Sequence, residues 1–453
     1  MNGNDVAPIS PDTPMDTTDQ EQVDQISTPI ERAEAALGDL GPDGARRPLM
    51  TPAEAYDRLA RGEAIEGVKV VGLVLKGVFE KPVVFRDVAL TRPVIEGAEF
   101  REEVVFERCK IDKPRFGPKA TFDAGLSLKG STVARPIFRG LVVRGSFRLN
   151  SAYLRGQALL SDCTFEGKVR AWETQFGGWV KFQRCAFEDD TDFRSSHADE
   201  GFVLEGCTFA RAALFRGATC TKKWDASGTT FHGLLDLSKA KLHDFVYLES
   251  ITQGDGHRLA FHNALAERVL IRTEQLHGRL ESEEKGDYAR AMEEYGLLKR
   301  AFESLHRYDQ EDWAFYRFKV NQRRSQPRTW ARPWSKLGQF FDWLLLDIGC
   351  GYGTNPLRAV RAALVIMLGF ALIYVVGSGS LNIEKPPFDG GMDRLPNRLL
   401  VGLLTSVTAF TSGFDGLRDA ARGWMNIPLI LESLLGTFLW GLFIVAFSRK
   451  VIR

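Results

Sequence analysis

Cysteine is scarce: six residues in 453 exclude a scaffold built on disulfides. No one sign of charge dominates, with 59 Lys+Arg against 58 Asp+Glu. That balance excludes a chain that binds polyanions over its whole surface, nucleic acid included, but leaves room for a local patch. No apolar run opens the chain, so we expect no cleavable secretory signal, and an N-terminal half in the cytoplasm with reduced thiols. Enzyme constellations are missing too. The seven His are scattered, and no His-x-x-x-His pair, Walker loop or Gly-x-Ser-x-Gly occurs. We expect no enzyme and no cofactor. Aromatics are absent from residues 1–48, which carry ten acidic residues and one Arg between Asp5 and Asp43. Nothing there can offset the entropy of ordering, so the reading is a disordered acidic tail.

What is present is recurrence. Phe116, Phe138, Leu160, Phe182 and Leu204 are each 22 residues apart, and so are Phe165, Phe187, Phe209 and Phe231. Cys163, Cys185 and Cys207 keep the same spacing. A helix would repeat at 3.6 residues; a fixed period in the twenties means a solenoid. Strands that turn one apolar residue inward per turn stack it on its copy about 4.8 Å away. Roughly eight turns would make a rod about 40 Å long. The three Cys read as small inward apolar groups, because a metal or redox site would want His beside the thiols.

The stretch Cys207-Thr-Phe-Ala-Arg-Ala-Ala-Leu-Phe-Arg-Gly-Ala resembles the pentapeptide-repeat proteins. The resemblance implies a right-handed β-solenoid with four five-residue sides, here lengthened by about two residues per turn. Some members of that family mimic DNA by being acidic. Here Arg108 to Arg155 holds eleven Lys/Arg against Asp112 and Asp123, which argues against that role. The stretch is a solvated face or a contact for a protein, for anionic lipid or for the acidic tail.

From about Glu281 the pattern turns helical. Met292, Tyr295, Leu298, Phe302 and Leu305 share one face, and a second helix is expected over Asp309–Arg324. Leu337, Phe340, Phe341, Leu344, Leu345 and Ile348 then recur at spacings of three and four behind Trp330 and Trp334. That is the pattern of a helix lying in a membrane interface. Ala362 to Ile383 contains no charge, and Trp424 to Ser448 contains only Glu432. Both runs are long enough to cross a bilayer. Their basic flanks, Arg358 and Arg361 on one and Arg449-Lys450 on the other, fall on the same side. The positive-inside rule puts that side, the solenoid and both termini in the cytoplasm.

Between the spans, Leu399 to Phe410 is apolar but too short to cross, and it ends in Thr411-Ser412-Gly413-Phe414-Asp415-Gly416. Irregular backbone at membrane depth survives only where it is buried in protein or lines water. This region, Leu357 to Arg453, resembles the two-helix potassium-channel superfamily: Thr408–Asp415 looks like a pore-helix end and its T-V-G-Y-G filter, and Asn426–Lys450 like the inner helix. The resemblance implies a homotetramer in which Thr411, Ser412, Gly413, Phe414 and Asp415 form the selectivity filter, occupied by permeant monovalent or divalent cations. It implies a gating hinge at Gly436. The departures from the family, Ser412, Phe414 and Asp415, point to cation conduction rather than strict potassium selectivity. Glu432 is the intramembrane acid, either a hydrogen-bonding brace behind the pore helix or a proton-sensitive gate.

Gly351-Tyr352-Gly353 imitates both a methyltransferase loop and a potassium filter. Too little chain follows for the first and no span precedes it for the second, so a turn into the first span is expected. With the Pro-Leu-Arg that follows, it looks like part of a bacterial group of channel-like proteins carrying pentapeptide repeats. The expected organisation is a tail at 1–48, a β-solenoid with an N-terminal capping helix at 49–280, a helical linker at 281–333, an interfacial helix and turn at 334–356, and a two-span pore domain at 357–453. The setting is a bacterial inner membrane, with lipids as partners. The rival reading is a membrane-anchored solenoid scaffold that does not conduct.

Overall fold

The computed structural model describes residues 46–326, 338, 342–381, 395–412 and 422–451. Residues 1–45 of the expected tail, seven residues of the interfacial helix expected from Trp334 to Ile348, and Gly413–Asp415 lie outside the described residues. The chain builds a parallel β-solenoid of about ten turns, with about 22 residues per turn, followed by helices. It divides into two compact units after Arg211.

The first unit begins with helix α1 (Pro52–Ala60). Thr51 Oγ1 accepts from the Glu54 backbone at 3.2 Å and Pro52 occupies the first turn, so the start is both capped and preset. Ala55 and Leu59 are buried, and the Tyr56 hydroxyl donates to Lys76 O at 3.0 Å. The helix thereby covers an end of the solenoid that would otherwise offer unpaired strand edges.

Beyond it, inward residues stack on their copies. Phe116 pairs with Phe138, Phe138 with Leu160 and Leu160 with Phe182 in parallel register. Phe165, Phe187 and Phe209 form a column with ring centroids 5.1 and 4.4 Å apart, and Phe147 of a neighbouring strand run stacks on Phe165 at 5.1 Å. Such pairs add about 0.5–1.5 kcal/mol each beyond the burial of their area. Cys163, Cys185 and Cys207 are buried and free. The Cys163 thiol donates to Ser161 O at 3.2 Å and the Cys185 thiol to Leu160 O at 3.4 Å. Burial pushes the Cys109 thiol up to about 12, far from a reactive thiolate.

The expectation of eight turns falls short of ten because the period drifts. Ile65 pairs with Phe85, 20 residues on, and Val83 with Val104, 21 on. Leu235 in the second unit pairs with Leu259, 24 on. Terminal turns escape a search at a fixed spacing of 22.

In the second unit the last turns carry the strand Leu265–Leu270, on which helix α2 (Tyr288–Ser304) rests. The Ser304 hydroxyl donates to Glu267 O at 2.6 Å. Glu294 on α2 is buried; it accepts from the Phe261 backbone at 2.8 Å and from the Ser282 hydroxyl. Burial pushes its carboxyl up to about 7 despite those hydrogen bonds. Helix α3 (Tyr308–Ser325) packs antiparallel to α2, with Arg317 on Glu283 at 2.6 Å. Three further helices follow: α4 (Pro356–Val376), α5 (Leu395–Ser412) and α6 (Asn426–Val451). Among the described residues, two helical stretches are long and apolar enough to cross a membrane, Pro356–Val376 and Gly423–Val451.

Candidate functional site

Helices α4, α5 and α6 pack pairwise around a small core of Tyr374, Leu381, Val401, Ala409, Met425 and Leu429. Two glycines set how close they come. A Cβ on Gly402 would lie 2.7 Å from Ala371 O, so α5 presses against α4 there. A Cβ on Gly436 would lie 2.3 Å from Phe410 O, so α6 presses against α5 near its end. Small residues at such points let helix backbones approach closely.

One carboxylate ties the three helices together. Glu432 on α6 is fully buried. It accepts from the Tyr374 hydroxyl of α4 at 2.6 Å and from the Ser406 hydroxyl of α5. Ser406 Oγ also lies 2.8 Å from Met367 O of α4. Two donors on one carboxylate satisfy a group that would otherwise be costly among apolar helices. The buried Ser433 hydroxyl next to it has no partner among the described residues.

Helix α5 is longer than its apolar run. It was expected over Leu399–Phe410; it spans Leu395–Ser412, 18 residues or about 27 Å. Thr411 and Ser412 therefore sit in its last turn, and Thr411 Oγ1 donates back to Val407 O at 2.7 Å. Thr411 also borders an apolar cavity of about 310 Å³ between the three helices, with Met367, Phe410, Leu439 and Phe443. Of the other expected filter residues, Gly413, Phe414 and Asp415 lie outside the described residues. Gly436 lies inside unbroken helix.

At the base of the spans sits an elbow. Asp342–Ile348 forms a π-helical segment, and Gly351, Tyr352 and Gly353 all take left-handed backbone (φ 57°, 55° and 79°). This is a turn into α4, whose Asn355 side chain accepts from the Leu357 backbone at 3.0 Å. A tyrosine in that conformation costs energy that the surroundings must offset. Its hydroxyl donates to Asp342 at 2.9 Å and accepts from Arg323 of α3 at 3.1 Å. Asp347 receives Arg323 at 2.6 Å and the Tyr316 hydroxyl at 2.8 Å.

Helix α3 also holds both spans. Arg358 of α4 lies 4.7 Å from the Tyr316 ring centroid. Arg449 of α6 pairs with Asp312 at 3.1 Å and lies 4.6 Å from the Phe315 ring centroid. The sequence flagged Glu432 but not Tyr374 or Ser406, which lie 58 and 26 residues away. A polar residue inside each apolar helix was the available signal. Nothing local marks Asp347, Arg323 and Tyr316 as one network.

The fold is a parallel β-solenoid followed by helices that include two candidate membrane spans. Residues 149–197 match the family described as Pentapeptide repeats (9 copies). No curated protein matches the chain.

Proposed function

We propose that the C-terminal helices form the pore of a homotetrameric, pore-loop cation channel, with the solenoid as its sensor or assembly module. The observation that carries this reading is α5, an extra helix set between two spans and braced from behind by Glu432. A lone anchor has no need of such a helix. In the tetramer the C-terminal ends of four α5 helices point their negative dipole ends toward the axis and favour cations. The backbone of Thr411–Asp415 then lines the path, with four Asp415 carboxylates as an acidic ring. The inner helix bends at Gly436, and force from the solenoid arrives through the elbow. The setting is a bacterial inner membrane with the basic span ends, the solenoid and both termini in the cytoplasm. Membrane lipids are its partners, and it carries no catalytic chemistry.

The test is single-channel recording of purified protein, with reversal potentials in mixed potassium, sodium and calcium. Cation-selective unitary currents that lose divalent block in Asp415→Asn are expected. Absence of current from a protein that light scattering finds to be monomeric sinks the proposal. A second reading, a non-conducting anchored scaffold, draws support from Thr411. Its hydroxyl is turned back onto Val407 O within a helix that runs through Ser412, rather than toward an ion path. A stable, silent protein whose solenoid captures a partner would establish that reading.

A further inference from the structure

Stacking turns recurrence in the sequence into columns on the surface. In the first unit, parallel register carries one outward position through Val94, Arg115, Ile137, Leu159, Lys181 and Val203. The next residue along each of the middle strands points inward: Phe116, Phe138, Leu160 and Phe182 are buried there and fill the core. An apolar residue at the outward position therefore serves no core. Yet Ile137 is 40% exposed, and Leu159 and Val203 are half-buried in the same row. Exposed apolar side chains scattered singly need no explanation, whereas a row of them marks a surface that is covered.

Charge on this face has one sign over successive rungs. The strands Arg115–Phe116, Ile137–Arg139, Ala158–Ser161 and Val180–Gln183 hold Arg115, Arg139 and Lys181 and no carboxylate. Lys181 is paired with Glu205 of the following rung at 2.6 Å, which leaves a positive bias rather than a bare column. The edge of the face is aromatic. Trp179 immediately precedes the strand of Lys181, and 37% of it is exposed. Its ring lies against Gly201 of the next rung, where a Cβ would meet it at 2.2 Å. Any other residue at 201 would lift the indole off the sheet.

A parallel sheet with rungs about 4.8 Å apart presents a flat surface. Here the centre of that surface is apolar, its surround is cationic and its edge carries an indole. That is the layering of a bilayer boundary. Branched aliphatic groups meet acyl chains, indole rings concentrate at the level of the headgroups, and anionic lipid attracts Arg and Lys.

We propose that this face of the first unit, centred on Ile137 and Leu159 with Trp179 at its edge, docks on a bilayer surface that contains anionic lipid. The inference goes beyond the channel reading. It needs a bilayer beside the chain, but neither conduction nor a tetramer.

The test is fluorescence quenching of the full chain in vesicles of phosphatidylcholine and phosphatidylglycerol with brominated acyl chains. The chain is reconstituted or, where it does not insert, mixed with the same vesicles. The Trp179 signal is the emission of wild type minus that of Trp179→Phe, a variant that keeps a ring over Gly201. Quenching of that signal by the brominated chains is expected. It should be lost in an Ile137→Glu/Leu159→Glu variant, measured against the same variant carrying Trp179→Phe. Both substitutions point outward, and a far-UV circular dichroism spectrum like that of wild type reports an intact solenoid. In wild type, quenching should also fall at ~1 M salt, where the screening length drops to about 3 Å. A Trp179 signal that brominated lipid leaves unchanged would overturn the proposal. So would quenching that persists in the double variant, or that is as strong in phosphatidylcholine alone. A signal that neither brominated lipid nor aqueous acrylamide quenches would make a protein the occupant and overturn it as well.

Discussion

In the first unit Phe165 lies 5.1 Å from both Phe147 and Phe187, rings of its own kind on the rungs to either side. In the helices at the other end of the chain the close contacts are between unlike groups. Gly436 faces the Phe410 carbonyl, and Glu432 faces Tyr374 and Ser406. The solenoid expels water from large side chains, so the hydrophobic effect drives it and any inward aromatic of the right size serves. Between helices long and apolar enough to sit in a bilayer there is little water to expel. Cohesion there comes from backbone approach and from satisfying polar groups, which demands particular residues at particular points. The first region tolerates drift in sequence and period. The second does not.

Four measurements would break or sharpen that contrast. The largest effect is expected for Phe165→Ala. Removing a buried ring from the middle of a stack should cost about 3–5 kcal/mol in denaturant unfolding. Because each rung leans mainly on its neighbours, amide exchange should accelerate at Phe147 and Phe187 and leave α6 untouched.

Next comes Glu294, where a carboxylate ties the last turns to α2. Burial raises its folded pKa to about 7, above the ordinary carboxylate range of an unfolded chain. The folded state then binds the proton more tightly, so stability is greatest at acid pH. It falls as pH rises from about 4.5 to about 7, by ~3 kcal/mol at most. Thermal melts of wild type and Glu294→Gln at pH 5 and 8 check this, and the variant should lose most of the difference. A wild type more stable at pH 8 would reverse the assignment.

The third is Gly436→Ala, which forces a Cβ against Phe410 O and should cost about 1–3 kcal/mol in detergent melts. Gly441→Ala on the same helix meets open space and should be neutral or slightly stabilising. Equal effects at the two glycines would deny that close approach holds these helices. Smallest is Arg184→Ala, which removes an exposed, solvent-screened pair with Asp162 and should leave the melting temperature nearly unchanged.

The same contrast explains how far each region could be read beforehand. Inward Phe and Cys recur at 22 because each must lie over its copy, so the solenoid declared itself in the spacing. The 20- and 24-residue turns at its ends did not, and two turns went uncounted. The apolar spans were legible by length. Helix α5 was read short because its first turn is Leu-Pro-Asn-Arg and its last is Phe-Thr-Ser, and hydropathy sees only the apolar middle. Glu432 stood out as a charge among apolar residues, but its partners had to come from the fold. The elbow was legible as a turn through its glycines. Its wiring to Tyr316 and Arg323 was not, because those residues belong to a helix some 30 positions earlier.

Helix α3 grips α4 through Tyr316 and Arg358 and grips α6 through Asp312 and Arg449. It therefore acts as a yoke. One helix thus fixes the ends of both candidate spans relative to each other, and a change at α3 reaches the two together.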